Sequence, residues 1–414
     1  MINNFNFYDN LAFMKEYLAL LKEESILRRL SSIQLIAYFG AWFSNVAIYT
    51  LLINLEVSAQ TVAFVAMLHF LAGVIQAPLS GSIIDKMNPK KLLLILISFE
   101  IVATFCLIFI DTVDDLNLLY VLIFIKMAAA SFYFTTEMSL LPKILSGIKL
   151  QKANELHSII WSFSYTLGMA ISGFVVFWFG IKFAFILDTS MFIIGFILLL
   201  KLSLDIEIKK SSENLLQMMA DTFRYVKRNP IALHLMLLHA FMGLTAFDAL
   251  VALMVDKYYA GVIATSLGLG LLHASRAFGL VIGPIFLTKW TKNKYMAYIF
   301  YAQALAVLFW SYMMDNFYLS LLASVVVGFF TTTLWSYTYT LLQKNIDSKY
   351  YGRIVAYNDM LFLGTAALTS FMIGFLATHD FELEQIAIFI SIGFIIGGLY
   401  FTWIIKTKKL GDIS

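Results

Sequence analysis

Twelve apolar runs, each near the length that crosses a bilayer, follow one another along 414 residues with only polar breaks between them. They lie at about 33–54, 61–83, 92–110, 117–138, 156–179, 181–202, 231–254, 264–289, 295–314, 318–342, 354–377 and 385–405. A membrane helix needs roughly 20 such residues. Backbone groups in hydrocarbon must find partners inside their own segment, so runs of this kind are helices. The chain is 61% hydrophobic and 13% charged, against about half and a quarter in soluble domains. The expected fold is therefore an all-α polytopic membrane protein of twelve transmembrane helices. The breaks after the fifth and ninth runs are the shortest and least defined.

Lys and Arg placement orients the chain. An even number of spans puts both termini on one face. That face carries Lys15, Lys22, Arg28 and Arg29 before the first span, Lys86, Lys90 and Lys91 in the 2–3 loop, and Lys143, Lys149 and Lys152 in the 4–5 loop. Lys209, Lys210, Arg224, Lys227 and Arg228 follow in the central segment, then Lys289, Lys292 and Lys294, then Lys344, Lys349 and Arg353, and finally the tail lysines. The other face holds Asp111, Asp114, Asp115, Asp256, Asp315, Asp380, Glu382 and Glu384. The expectation is a multi-pass protein of the cell (inner) membrane with both termini cytoplasmic. The net charge of +3 follows from this topology and does not argue for nucleic acid as a partner.

The lone Cys106 lies in the third span, which leaves no disulfide or cysteine metal site. His234 and His239 are five apart and do not share a helical face, so no metal is expected. His-Glu-x-x-His, Gly-x-Ser-x-Gly and phosphate-cradling loops are all missing, which argues against an enzyme and against direct use of ATP. No cofactor is expected. Residues 1–30 mix acids and bases without the apolar core of a signal peptide. Phe13, Tyr17, Leu20, Leu21 and Ile26 fit either an amphipathic surface helix or a frayed extension.

The longest polar break divides the spans six and six. The reading is a cytoplasmic arm at 1–30, one six-helix half at 31–202, a linker at 203–230, a second half at 231–405 and a tail at 406–414, with helical spacing over Met218–Tyr225. A weak internal repeat supports it. Thr288 to Lys294 stands where Asp85 to Lys91 stands in the first half, and Leu341-Leu342-Gln343-Lys344 echoes Leu140-Leu141-Pro142-Lys143.

The 2–3 loop, Gly81-Ser82-Ile83-Ile84-Asp85-Lys86-Met87-Asn88-Pro89-Lys90-Lys91, is a short charged hairpin. It resembles the signature loop of the major facilitator superfamily, with Pro89 in place of the usual glycine. Leu341-Leu342-Gln343 with Gly352-Arg353-Ile354-Val355 is similar to the drug-exporter-like branch, which holds macrolide-efflux-like proteins and siderophore exporters. Ala153-Asn154 and Gly279 to Gly283-Pro284 look like the same group. Gly168-Met169-Ala170-Ile171-Ser172-Gly173 is similar to the antiporter motif but lacks its proline and first following glycine. The resemblance implies the major facilitator fold and alternating access. It also implies an inner-face latch formed by Gly81, Asp85, Lys86, Lys90, Lys91, Gly352 and Arg353. Gly168, Gly173, Gly279, Gly283 and Pro284 are expected at helix contacts, where small residues allow close approach.

A charge within a span costs about 2.5–3.5 kcal/mol on insertion scales, so such residues normally face protein or a water-filled cavity. Glu100, Lys126, Asp188, Asp248 and Arg276 are the clear cases. Depth arithmetic pairs Lys126 with Glu100 and Asp248 with Arg276. Lys126 is read either as a cavity residue or as half of a static ion pair, and Asp248 either as the proton-carrying carboxylate or as half of a fixed salt bridge. Asp188 is assigned to packing or gating. Asn45, Gln34, His69 and His273 are candidates for hydrogen bonds between helices. As the resemblance implies, spans one, four, seven and ten line a cavity. That would place Trp42, Tyr133, Phe247, Trp335 and Tyr337 around an amphipathic or cationic substrate, although many of the aromatics in such a chain simply face lipid or neighbouring helices.

The expected activity is proton-coupled export of a small amphipathic compound, drug-like, macrolide-like or siderophore-like, by a monomer embedded in the lipid bilayer. The alternatives are uptake, a lipid-precursor carrier of the same fold, or a non-transporting receptor.

Overall fold

The computed structural model describes residues 17–84, 86–204, 215–347 and 350–408. All its regular elements among the described residues are helices. The first six spans are α1 (Ser25–Asn54), α2 (Ala59–Ile84), α3 (Pro89–Cys106), α4 (Leu116–Ile144), α5 (Gly147–Phe179) and α6 (Ile181–Leu200). A short amphipathic helix, α7 (Leu215–Arg228), follows. The seventh span comes in two pieces, α8 (Pro230–Ala240) and α9 (Asp248–Tyr259). The rest are α10 (Thr265–Leu287), α11 (Asn293–Tyr312), α12 (Phe317–Lys344), α13 (Tyr351–Thr378) and α14 (Leu383–Lys408).

Among the described residues, eleven segments are long and apolar enough to cross a membrane. The twelfth, α11, has 20 residues but is diluted by Lys294, Gln303 and four tyrosines. It packs between α12 and α14, where Gln303 and Trp310 are buried. Several helices extend past their apolar runs on the basic face: α1 begins at Ser25 and α5 at Gly147. Backbone hydrogen bonding continues where hydrocarbon ends, so polarity marks the bilayer boundary rather than the helix end.

Local chemistry fixes the turns. The Asn88 side chain accepts from the Lys91 N–H at 3.2 Å and Pro89 takes the first helical position of α3, so the departure from the usual glycine makes a capped helix start. Asn229-Pro230 and Asn316 open α8 and α12 in related ways. Gly180, at φ 86°, is the entire connection between α5 and α6, a conformation that costs glycine little. Large apolar side chains such as Phe109, Trp178, Phe286, Tyr312, Tyr318 and Leu399 are exposed around the bundle, as a lipid-facing surface requires.

The first six spans and the last six meet chiefly where α2 packs on α13 and α5 on α10. These contacts are tight toward the acidic face. A Cβ on Gly374 of α13 would lie 2.3 Å from Ala63 Cβ, and one on Gly173 of α5 would lie 2.6 Å from the Ser266 carbonyl oxygen at the start of α10. At the basic face, described polar ties run along one half. Arg29 and Lys90 donate to the Lys201 and Leu200 carbonyls at the end of α6. Lys149 pairs with Glu23 and Glu24, and the helical stretch 17–23 folds onto the start of α5 with Tyr17 donating to Glu155 at 2.6 Å. In the second half, Tyr225 of α7 stacks on Tyr350 at 4.2 Å and accepts from the Asp347 N–H.

Candidate functional site

Four helices of the first half bring charge together at one place. Lys126 of α4 sits 2.9 Å from Asp188 of α6, and both are buried. Ser44 of α1 donates to the same carboxylate oxygen. Gly40 lets α1 close over it, because a Cβ there would lie 2.4 Å from the other oxygen of Asp188. Glu100 of α3 is buried beside the pair, close enough to feel both charges, and its Oε2 has no hydrogen-bond partner. The Phe192 ring closes the site 5.5 Å from the ammonium. The depth-based pairing of Lys126 with Glu100 is therefore corrected. Depth gives one coordinate of a side chain, and the lysine's long stem carries its charge across to α6. Asp188, assigned to packing or gating from sequence, lies at the centre of this cluster.

The second half is built differently. The seventh span breaks at 241–247, where Gly243 comes so near α13 that a Cβ would lie 2.6 Å from the Ala366 nitrogen. Arg276 of α10 donates to the Thr245 carbonyl freed by this break at 2.8 Å and to Tyr165 of α5 at 3.4 Å. Its guanidinium lies 4.9 Å from the centre of the Phe247 ring. Asp248 opens α9, where a helix N-terminus favours an acid, and faces His273 at 3.7 Å. The expected Asp248–Arg276 pair is not formed, because the arginine satisfies backbone instead. The space beside Phe247, His273, Arg276 and Trp310 is a void of about 10 Å³.

Other expected residues fall into three places. Asn45 Oδ1 accepts from His69 Nε2 at 2.9 Å, and Gln34 reaches His157 at 2.5 Å, so both join helices. Trp42 packs against Trp161 and Tyr165 at 5.6 and 4.7 Å, continuing a run of rings along α1 and α5 that ends at Arg276. Trp335 is part-exposed and stacks on Tyr339 at 5.0 Å. Tyr133 is buried with its hydroxyl unpartnered. Tyr337 is a correction: it turns toward α11, donating to Asn293 at 2.7 Å, away from the aromatic run. A helix bears residues on all faces, and membership of the tenth span does not choose the cavity side.

Of the expected latch, Gly81 lies in the last turn of α2 and Asp85 lies outside the described residues. Lys86 is exposed, and Lys90 caps α6 as described. Lys91 follows the Asn88 cap, while Gly352 opens α13 with nothing near its Cα and Arg353 is half-buried beside it. Gly168 abuts Phe39 and Trp42 of α1. Gly279 and Gly283 lie against the α12 backbone, where a Cβ would come within 2.1 and 1.7 Å of the Val325 and Phe329 carbonyl oxygens, just before Pro284.

Two acids escaped the sequence reading. Glu137 of α4 is buried with Tyr38 donating to it at 3.3 Å, and Asp359 of α13 is largely covered with Asn358 beside it. Glu137 lies at the edge of its apolar run, one residue from its end at 138, whereas Asp359 lies inside its run and could have been found by the charge rule. A groove of about 570 Å³ between α2, α4 and α13, near Gln60, Tyr120 and His379, opens on the acidic face away from all these charges.

Twelve helices meeting across α2–α13 and α5–α10, with charges buried inside each half, match a family model described as Major Facilitator Superfamily over residues 30–370. The chain belongs to the major facilitator superfamily. A curated Bacillus subtilis (strain 168) protein, the uncharacterized MFS-type transporter YfiS, is 24% identical over 220 residues, which is 52% of each chain. The match thus spans about half the length of that relative. Among solved structures, the nucleoside transporter NupG superposes with TM-score 0.69 at 13% identity, over 92% of this facilitator and 100% of NupG. The D-xylose-proton symporter gives 0.72 at 10%, over 90% and 96%. A bacterial homologue of the human lysosomal transporter Spinster, solved inward-facing and unoccupied, gives 0.67 at 12%, over 92% and 96%. At these identities the likeness is one of fold. The facilitator is a multi-pass membrane protein of a family of secondary transporters, not of enzymes.

Proposed function

We propose that this facilitator exports small amphipathic compounds against an inward flow of protons, by alternating access across the cell (inner) membrane. The observation that carries the coupling part is the buried cluster of Lys126, Asp188, Glu100 and Ser44. Two carboxylates are buried near one ammonium, which pairs with Asp188, so electroneutrality at that depth calls for one further positive charge, and a proton is the smallest. Asp248 is the second-ranked coupling residue, since it has a histidine rather than an arginine before it. The positive-inside rule assigns the basic face and both termini to the cytoplasm. On that assignment the tight α2–α13 and α5–α10 contacts lie toward the outer side. The halves 31–202 and 231–405 then rock as bodies joined by the 203–230 linker, with Gly81, Asp85, Lys86, Lys90, Lys91, Gly352 and Arg353 latching the inner face in the opposite state.

Support for export is the Leu341-Leu342-Gln343 and Gly352-Arg353 stretch, similar to drug-exporter-like facilitators. The names of the nucleoside and D-xylose-proton transporters favour the second reading, uptake with protons. Purified protein in liposomes with an internal pH dye tests both. Lipophilic cations, macrolides and siderophores are added under a proton gradient of either sign. Compound-driven proton movement that disappears in Glu100→Gln and Asp188→Asn supports coupling at the cluster. Proton movement in the direction opposite to the compound means export, and movement together means uptake. Proton movement surviving both variants removes the cluster from the mechanism.

A further inference from the structure

The two acids that the coupling cluster does not use lie at matching depth. Glu137 is seven residues from the basic-face end of α4 and Asp359 is eight from that of α13, or about 10 and 12 Å along helices rising 1.5 Å per residue. Neither has a Lys, Arg or His within ion-pair distance among the described residues. The two basic side chains deepest in the spans are already occupied. Lys126 is held by Asp188, and Arg276 by the Thr245 carbonyl, Tyr165 and the Phe247 ring. Each half thus holds a covered acid without a cationic partner among the described residues.

Around Glu137 the neighbours are rings. Tyr38 of α1 stacks with Phe134 of α4 at 6.0 Å, and His157 of α5 meets both edge-on at 5.6 and 5.0 Å. The Tyr133 hydroxyl and His157 Nε2 lack partners. Phe134, 36% exposed, forms the open side. The ring run continues through Trp42, Trp161 and Tyr165 and stops at the positive guanidinium of Arg276. A carboxylate ringed by aromatic faces attracts an organic cation by charge and by the ring quadrupoles together. An anion would meet repulsion at the same place.

We propose that Glu137, Tyr38 and Phe134 form the seat for the charged end of a cationic amphipathic substrate. Its apolar body would lie along Trp42 and Trp161, and Asp359 would raise the local concentration of cations from the second half. This rests on the transporter reading above and narrows its substrate class.

The test is equilibrium binding to purified protein, followed by tryptophan fluorescence, with tetraphenylphosphonium as the cation and triphenylphosphine oxide as the neutral probe. Glu137→Gln is expected to weaken the cation by about tenfold or more, the size of one lost charge-assisted contact, and to leave the neutral probe within about twofold. Glu137→Asp keeps the charge and is expected to retain most cation affinity, which covers the case of a Gln variant that fails to fold. Equal loss of both probes in Glu137→Gln overturns the seat, as does unchanged cation affinity. If the wild-type protein binds only the neutral probe, the seat is wrong. The transporter reading is judged separately, by proton movement with neutral compounds in the liposome assay.

Discussion

The two halves solve the same problem, burying a cation in a membrane, by opposite means. In the first, Lys126 is met by a full negative charge within its own bundle, with Glu100 left over. In the second, Arg276 is met by a carbonyl, an aromatic face and a tyrosine hydroxyl that belongs to the other half. A compact ammonium suits a single carboxylate, while a planar guanidinium spreads its hydrogen bonds and stacks. The first arrangement is self-contained and carries an excess acid. The second depends on the halves being together at that height. On the proposed mechanism, charge storage and sensing of closure would fall to different halves.

The largest effect that would break this contrast concerns Lys126. Removing one member of a buried pair costs about 3–5 kcal/mol, because the other charge is stranded. Asp188→Leu should therefore lower the thermal midpoint in detergent strongly, and Lys126→Met/Asp188→Leu should recover most of the loss. No recovery would mean that Asp188 acts through shape rather than charge. The next effect lies at the seam between the halves. Gly173→Leu puts a bulky side chain where even a Cβ meets the Ser266 carbonyl at 2.6 Å. Substrate exchange should slow about tenfold or more, and spin labels at the acidic ends of α5 and α10 should report a wider separation. An unchanged distance would remove the α5–α10 contact from the closure of that face. Third, Asp248→Asn should leave compound-driven proton movement within about threefold of wild type while Glu100→Gln abolishes it, a gap of more than about 1.4 kcal/mol, the worth of a tenfold change in rate. The reverse order would move coupling to the second half. The smallest effect belongs to Tyr165→Phe, which loses one long hydrogen bond to Arg276. It should cost roughly 0.5–1.5 kcal/mol in stability or less, and only in conditions that favour the closed face.

The sequence carried the spans because lipid imposes a simple rule: backbone satisfied inside the segment, apolar side chains outside. That rule found α11 despite its tyrosines and glutamine. It could not find the break at 241–247, because Phe241 to Phe247 is nearly as apolar as an unbroken helix. The residue types at risk were also legible: Glu100, Lys126, Asp188, Asp248 and Arg276 are buried as the insertion cost requires. Their partners were not. Pairing depends on how each helix is rotated about its axis, and a chain of mostly apolar residues gives little angular signal. Lys126 thus found Asp188 and Arg276 found a carbonyl. Glu137 shows a third limit, since α4 continues to Ile144 and a residue read as the border of the bilayer lies two turns inside the helix.

The broken seventh span has a consequence for how the protein is made. While it is alone in the bilayer, the Thr245 carbonyl is met only by the Phe247 N–H two residues on, and α10 arriving alone would bring an uncompensated guanidinium. Each is a poor candidate for insertion by itself, and each supplies what the other lacks. The ribosome delivers them one after the other, joined by the short segment between Tyr259 and Thr265. The seventh and eighth spans should leave the translocon as one hairpin, and a long insertion between them would be expected to trap the chain at the membrane surface.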